Sequence, residues 1–288
     1  MSFDPGRWSN TADTDEMERS PTLLSLAVGL IVLSAVFWLI ERWRPSIANQ
    51  RRERIQTRTD VAYWFFTPLV TRFVTRVSLG VVFAVVAFSQ GLTFDQLRSL
   101  ATSRQTWASS LPVWIQIPLI LVLADLLAYW SHRIFHWRWL WPFHAIHHSS
   151  RSVDWLSSVR LHPVNDVVSR IVQVLPLYWM GFNGAVLAAF VPFLTLYALL
   201  LHANVSWTYG PLRFVLASPA FHRWHHTSEE EGLDRNFSGL FPFIDLAFGT
   251  FYMPPGRQPQ RFGVLHDDVP DGLLGQLVYP FRRRGSRE

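Results

Sequence analysis

The chain has 288 residues, 49% hydrophobic and only 16% charged, with a formal net charge of +5 and a mean hydropathy of +0.14. That balance is too apolar for an ordinary soluble globule and too polar for a bundle of spanning helices alone. Cysteine is absent, which excludes disulfides, thiolate zinc sites, iron–sulfur clusters and haem–thiolate chemistry, and all 26 basic residues are Arg.

Residues 1–20 are polar and lack the basic start and apolar run of a signal peptide, so they read as an N-terminal tail. Leu23–Ile40 is an uncharged apolar run closed by Glu41, Arg42 and Arg44, long enough as a helix to span a bilayer. A basic loop follows, holding Arg42, Arg44, Arg51, Arg52, Arg54 and Arg58. Because these charges flank apolar spans, the expected partner is a membrane surface and not nucleic acid. Val61–Phe88 is a second apolar stretch, interrupted by Arg72 and Arg76 one turn apart, which are expected to snorkel or to pair with the site. Leu111–Tyr129 is a third, broken only by Asp125. Val172–Leu201, with Gly181, Asn183 and Gly184 near its middle, is too short for two spans and long for one. It reads as a helical hairpin dipping partway into the bilayer. The fold class is therefore all-α integral membrane: about three transmembrane helices plus a hairpin, with a histidine-rich cytoplasmic cap.

The positive-inside rule puts the arginine-rich loop in the cytoplasm and Met1 outside. Ser131–Arg170 and His202–Glu288, including Arg282, Arg283 and Arg284, then share the cytoplasmic side. All eleven histidines lie in those two segments. Three groups stand out: His132 and His136 in HRIFH, His144, His147 and His148 in HAIHH, and His222, His225 and His226 in HRWHH. Helical spacings of three and four put each group on one face. Asp125 and Tyr129 continue the face of His132 and His136 upstream, so Asp125 is expected to accept a hydrogen bond from a ligand imidazole. A lone histidine near an interface is more often a polar surface residue than a ligand. Two HxxHH boxes and an HxxxH on one side of a membrane are hard to explain that way. His162 and His202, taken singly, are open to either reading, and His266 in its polar tail has no partner within helical reach.

Eight clustered histidines, ten with His162 and His202, are too many for one ion and fit two ions with four or five imidazoles each. Neutral imidazole suits iron, zinc or copper. The second positions of the triads hold Ala145 and Arg223, which excludes HExxH hydrolase logic, and the ExxH pairs of soluble di-iron bundles are missing.

In order, HRIFH, HAIHH, SVRLHP, LLHANV, HRWHH and NFSGLFPFIDLAFGTF resemble the motifs of the fatty acid hydroxylase/sterol desaturase superfamily over about Leu111–Met253. The absence of a second HxxxH at His202, with Ala198 before it and Ser206 after it, leans toward the sterol-desaturase-like bacterial members. The resemblance implies a catalytic domain over 111–255, after an N-terminal transmembrane region 21–110 and before a basic C-terminal tail 256–288. It implies two iron ions that activate O₂ to hydroxylate or desaturate a lipid C–H bond, with electrons from a separate ferredoxin- or b-type-cytochrome-like donor. It makes ligands of His132, His136, His144, His147, His148, His222, His225 and His226, adds His202, and lets His162 complete ten. Asp245 joins Asp125 behind the ligands. The expected location is a bacterial inner membrane, with the site on the cytoplasmic side. The alternatives are a membrane zinc-dependent lipid hydrolase and a bis-histidine haem or metal-transport protein.

Overall fold

The computed structural model describes residues 21–50, 56–93, 96, 106–182, 184–265 and 268–282. The tail 1–20, Arg51, Arg52, Arg54, Asn183, His266, Arg283 and Arg284 lie outside the described residues.

Helix α1 (Leu23–Trp43) starts at Thr22, whose side-chain oxygen accepts the Ser25 N–H. Helix α2 runs over Thr57–Ser89 with a π turn at Thr67–Thr71. Pro68 in that turn has no N–H to donate, and the wider turn accommodates the loss. Helix α3 covers Val113–Phe135. All three are long and apolar enough to cross a membrane. They leave large apolar side chains such as Leu24, Ile31, Phe73, Val85 and Trp114 uncovered by protein, as a lipid-facing surface does. Arg72 and Arg76 are exposed on α2, and neither forms a hydrogen bond with a histidine among the described residues.

Each span continues past its apolar run toward the histidine-rich end. In α1 this carries buried Glu41 to Asn204, whose backbone N–H it accepts at 3.0 Å. In α3 it puts Asp125 and His132 on one helix.

The hairpin is built from α5 (Pro163–Trp179), α6 (Gly184–Ala189) and α7 (Val191–His202). Gly181 at its tip (φ 89°) accepts the Thr106 hydroxyl at 2.6 Å, in the segment that precedes α3. A Cβ there would lie 2.3 Å from Thr106 Oγ1, so the turn needs glycine. Helix α5 also starts well before Val172, because its polar first turns have partners. Asp166 accepts the Thr75 hydroxyl at 2.7 Å and pairs with Arg170 at 3.5 Å.

Over the ends of α1, α2 and α3 lies a cap of short helices: α4 (Trp141–His148), α8 (Pro219–His225), α9 (Phe243–Ala247) and α10 (Leu273–Val278). Among the described residues there is no strand, only one bridge between Thr227 and Phe262. Phe37 of α1 stacks on Trp155 at 5.1 Å, within a cluster that also holds Leu199 and Val205. This buried seam fixes α7, and with it His202, against the cap.

Candidate metal centre

Nine histidines from α3, α4, α7 and α8 converge in two groups. One holds His132, His136, His144, His148 and His225; the other holds His147, His202, His222 and His226. Within each group the ligand atoms lie within 4.8 Å of one another. The groups abut, with His148 and His226 stacked at 4.4 Å between centroids.

The two HxxHH boxes are exchanged between the groups. His144 and His148, four apart, face one way from α4, while His147 between them faces the other group. On α8 and its cap the pair His222 and His226 faces the second group, and His225 crosses to the first. A separation of four residues turns the helix by about 40° net, whereas three turns it by about 60° the other way, so the middle imidazole departs from its neighbours. Each box therefore serves both groups, and the expectation that each lies on a single face is corrected.

The far ring nitrogen of six of these residues rests on an oxygen. Nδ1 of His132 meets the Phe237 carbonyl at 2.8 Å, and that of His136 meets Asp234 at 2.8 Å. His144 uses Asn165 Oδ1 (2.7 Å) and His147 the Arg160 carbonyl (3.0 Å). His202 uses the Ala198 carbonyl (2.8 Å) and His225 that of Arg235 (2.8 Å). An imidazole that donates from Nδ1 to oxygen presents a lone pair at Nε2. Those Nε2 atoms point at one another: His132 and His144 approach to 2.9 Å, His147 and His202 to 3.3 Å. Two lone pairs cannot hydrogen-bond. Nε2 of His136 and of His225 is buried with no hydrogen-bond partner among the described residues. A cation inside each group satisfies both the facing lone pairs and the orphaned atoms, so the residues present fit metal ions.

Burial, and then repulsion among the imidazoles themselves, holds His144, His147, His148, His222, His225 and His226 well below the ordinary histidine value. The groups are therefore neutral at physiological pH, the form that ligates.

Two further expectations change. Asp125 makes no hydrogen bond with an imidazole among the described residues. Its carboxylate accepts the backbone N–H groups of Gly239 (2.9 Å), Leu240 (3.1 Å) and Phe241 (2.7 Å). Asp245 likewise accepts the N–H of Phe237 (2.8 Å) and Ser238 (3.0 Å) and the Thr250 hydroxyl (2.6 Å). Together they clamp the loop whose Phe237 carbonyl holds His132, so a chain of backbone stands between each acid and the ligand it supports. His162 is the second case. It is in neither group: its Nδ1 caps α5 by accepting the Val164 N–H at 3.1 Å, and its Nε2 faces the Leu277 carbonyl at 3.2 Å. His202 is brought in, and lies 3.2 Å from His222.

Sequence reasoning missed Asn165, Asp234 and the ion pair of Asp60 with Arg160, whose carbonyl carries His147. The only local signal was at Asp234 and Asn236, an Asp/Asn turn in which both residues adopt positive φ (53° and 58°).

Residues 117–250 match the family model described as fatty acid hydroxylase. The chain is similar to an ornithine lipid hydroxylase of Rhizobium tropici, 29% identical over 262 residues that cover 88% of this chain and 75% of the relative. It is also similar to an alkylglycerol monooxygenase of Danio rerio, 30% identical over 56% of this chain and 34% of the relative. A very-long-chain aldehyde decarbonylase of Oryza sativa subsp. japonica is 29% identical over 56% and 28% respectively. The chain thus spans three quarters of the first of these and about a third of the other two. No solved structure matches it.

Proposed function

We propose that this chain, whose residues 117–250 match the fatty acid hydroxylase model, is a member of that family and an integral-membrane oxygenase that acts on a C–H bond of a lipid. The observation that supports this most directly is the pair of interlocked histidine groups, five and four, with converging Nε2 atoms. His132, His136, His144, His148 and His225 would hold one iron ion, and His147, His202, His222 and His226 the other. Bound there, iron supplies the redox chemistry that reduces O₂. The overall balance replaces one C–H bond by C–OH and releases the second oxygen atom as water, with two electrons and two protons from an external donor.

The chain's own share is positional. The oxygen acceptors behind the rings fix tautomer and orientation before any ion arrives. Burial keeps the imidazoles neutral and water out. The exposed apolar faces of α1, α2 and α3 keep the site beside the bilayer that carries the substrate. The arginine-rich end of the spans, which is also the histidine end, faces the cytoplasm in this reading, in a bacterial inner membrane where a soluble or membrane-bound electron donor can reach it. The names of the relatives, ornithine lipid hydroxylase and alkylglycerol monooxygenase, support an amphiphilic lipid as substrate.

The test is expression under ¹⁸O₂ with iron analysis of the purified protein. About two iron ions per chain, and one ¹⁸O atom in a host lipid that a His225→Ala variant does not label, are expected. One zinc ion and hydrolysis without O₂ would replace this reading by the zinc hydrolase.

A further inference from the structure

A cavity of about 600 Å³ borders the five-histidine group through His136, His148 and His225. Its other walls come from Arg138 in the connection between α3 and α4, from Trp141 at the start of α4, from the turn holding Thr227, Glu230, Leu233 and Asp234, and from 263–265. The four-histidine group contributes no residue to it.

The depth of this cavity follows from the helix it adjoins. The spanning helix α3 ends at Phe135, so residues 136–141 leave the apolar layer at the level of the lipid headgroups. Trp137 and Trp139 in that connection are 60% and 83% exposed, as aromatic side chains at a membrane–water interface are. The cavity mouth also carries exposed Leu233 and Leu265. Its size is that of a small-molecule site, not of a protein-docking face.

Its charges are unequally committed. Asp234 already meets His136 at 2.8 Å. Glu230 is exposed at the rim. Arg138 has no carboxylate partner among the described residues, and its guanidinium lies only over the Trp139 ring, 6.0 Å away. A free guanidinium in a cavity at headgroup depth matches a carboxylate or a phosphate, to which it can donate two parallel hydrogen bonds.

We infer that this cavity receives the headgroup of an acidic or zwitterionic lipid, with Arg138 pairing its anionic group. This rests on the oxygenase reading above and narrows it. The polar end of the substrate, not the far end of its tail, lies beside the five-histidine group. Glu230 at the rim is placed to meet a cationic part where the headgroup has one.

Because the chain has no cysteine, a single reporter is easily placed. Leu233→Cys at the mouth would carry an environment-sensitive thiol fluorophore, and Leu24→Cys on the lipid-facing side of α1 would carry the same fluorophore as a control for partition into detergent. The purified full chain in neutral detergent is titrated with dodecyl phosphate, dodecanoate and dodecyltrimethylammonium, which share one tail. The mouth reporter should respond to one or both anions at least about tenfold below the concentration at which it responds to the cation, and the control should not discriminate. Phosphate against dodecanoate tells which anion is preferred. Arg138→Ala should abolish the selectivity, and Arg138→Lys should retain part of it. Equal responses to all three amphiphiles, or anion selectivity unchanged in Arg138→Ala, would overturn the assignment. The titration requires neither metal nor turnover. A chain that selects anions but incorporates no ¹⁸O would therefore sink the oxygenase reading alone.

Discussion

Asp125, in the middle of the third spanning helix, accepts the backbone N–H of Phe241, 116 residues later, at 2.7 Å. The bond matters because of what the loop does next. With Asp245 on its other side, Asp125 fixes the turn from Phe237 to Phe241, and the Phe237 carbonyl holds His132. An amide in place of this carboxylate keeps one acceptor oxygen but turns an NH₂ toward backbone donors. Asp125→Asn should therefore cost about 1–3 kcal/mol of stability. It should also weaken metal affinity by about 10–100-fold, the usual effect of losing a group behind a ligand. Iron retention during graded chelation, followed beside thermal unfolding, measures both. A variant that unfolds earlier but holds iron as tightly as the parent would show that the loop does not govern His132.

The division of the histidines makes a selective prediction. His225→Ala removes a ligand of the five-histidine group and His202→Ala one of the four-histidine group. Each should lower iron toward one ion per chain, with different residual spectra, because a different group survives. His162→Ala should keep its iron and lose about 1 kcal/mol with the α5 cap. Elemental analysis of the three variants decides it, and iron loss in His162→Ala would return that residue to the ligand set.

The spacing of HAIHH and HRWHH made the metal chemistry legible, since three imidazoles within one and a half turns have few other uses. The exchange of the middle histidines departs from the expectation of one shared face, and its reason lies in the spacing itself. His147 and His225 each sit three residues after the first member of a box, off the line joining the other two. What periodicity could not reach was the support. Asn165, Asp234, and the carbonyls of Phe237, Arg160 and Arg235 become partners only through contacts between distant segments. Asp125 shows the same limit from the other side. Its alignment with His132 on α3 is real, but a carboxylate follows its strongest donors, and three converging backbone N–H groups outcompeted one imidazole.

Acid should act on the folded state directly. His144, His147, His148, His222, His225 and His226 have folded values lowered far below the ordinary 6.5, chiefly by burial. Above that pH both folded and unfolded chains hold these rings neutral, and stability is independent of them. As pH falls through 6.5 the unfolded chain takes up protons that the folded one refuses, so stability falls continuously. Melting temperatures of chelator-stripped protein from pH 8 to pH 5 should be level and then decline. Metal would shift the decline to lower pH, because it must be displaced first. A stripped protein equally stable at pH 5 and pH 8 would contradict the burial of the neutral rings.

The last prediction concerns the ion pair of Asp60 on α2 with Arg160, both side chains almost wholly buried (4% and 0% exposed). Arg160 also donates to Gln56 at 3.0 Å, and its backbone carbonyl holds His147. The pair thus ties the histidine end of a spanning helix to the four-histidine group. Removing one charge leaves the other buried and uncompensated, so Asp60→Asn should cost about 3–5 kcal/mol. Removing both should cost less, because an apolar side chain in place of the guanidinium asks for no partner. Asp60→Asn combined with Arg160→Met should therefore recover part of the loss in unfolding midpoint. The carbonyl that meets His147 belongs to the backbone and survives in both variants. If the double variant regains stability and iron together, the single variant's loss came from the uncompensated charge, and the pair is not needed to hold the 160 backbone. If it regains stability while iron stays low, the guanidinium itself orders that backbone, through Gln56 and Ser149. A single Asp60→Asn variant as stable as the parent would mean that water reaches this pair and screens it, contrary to its burial.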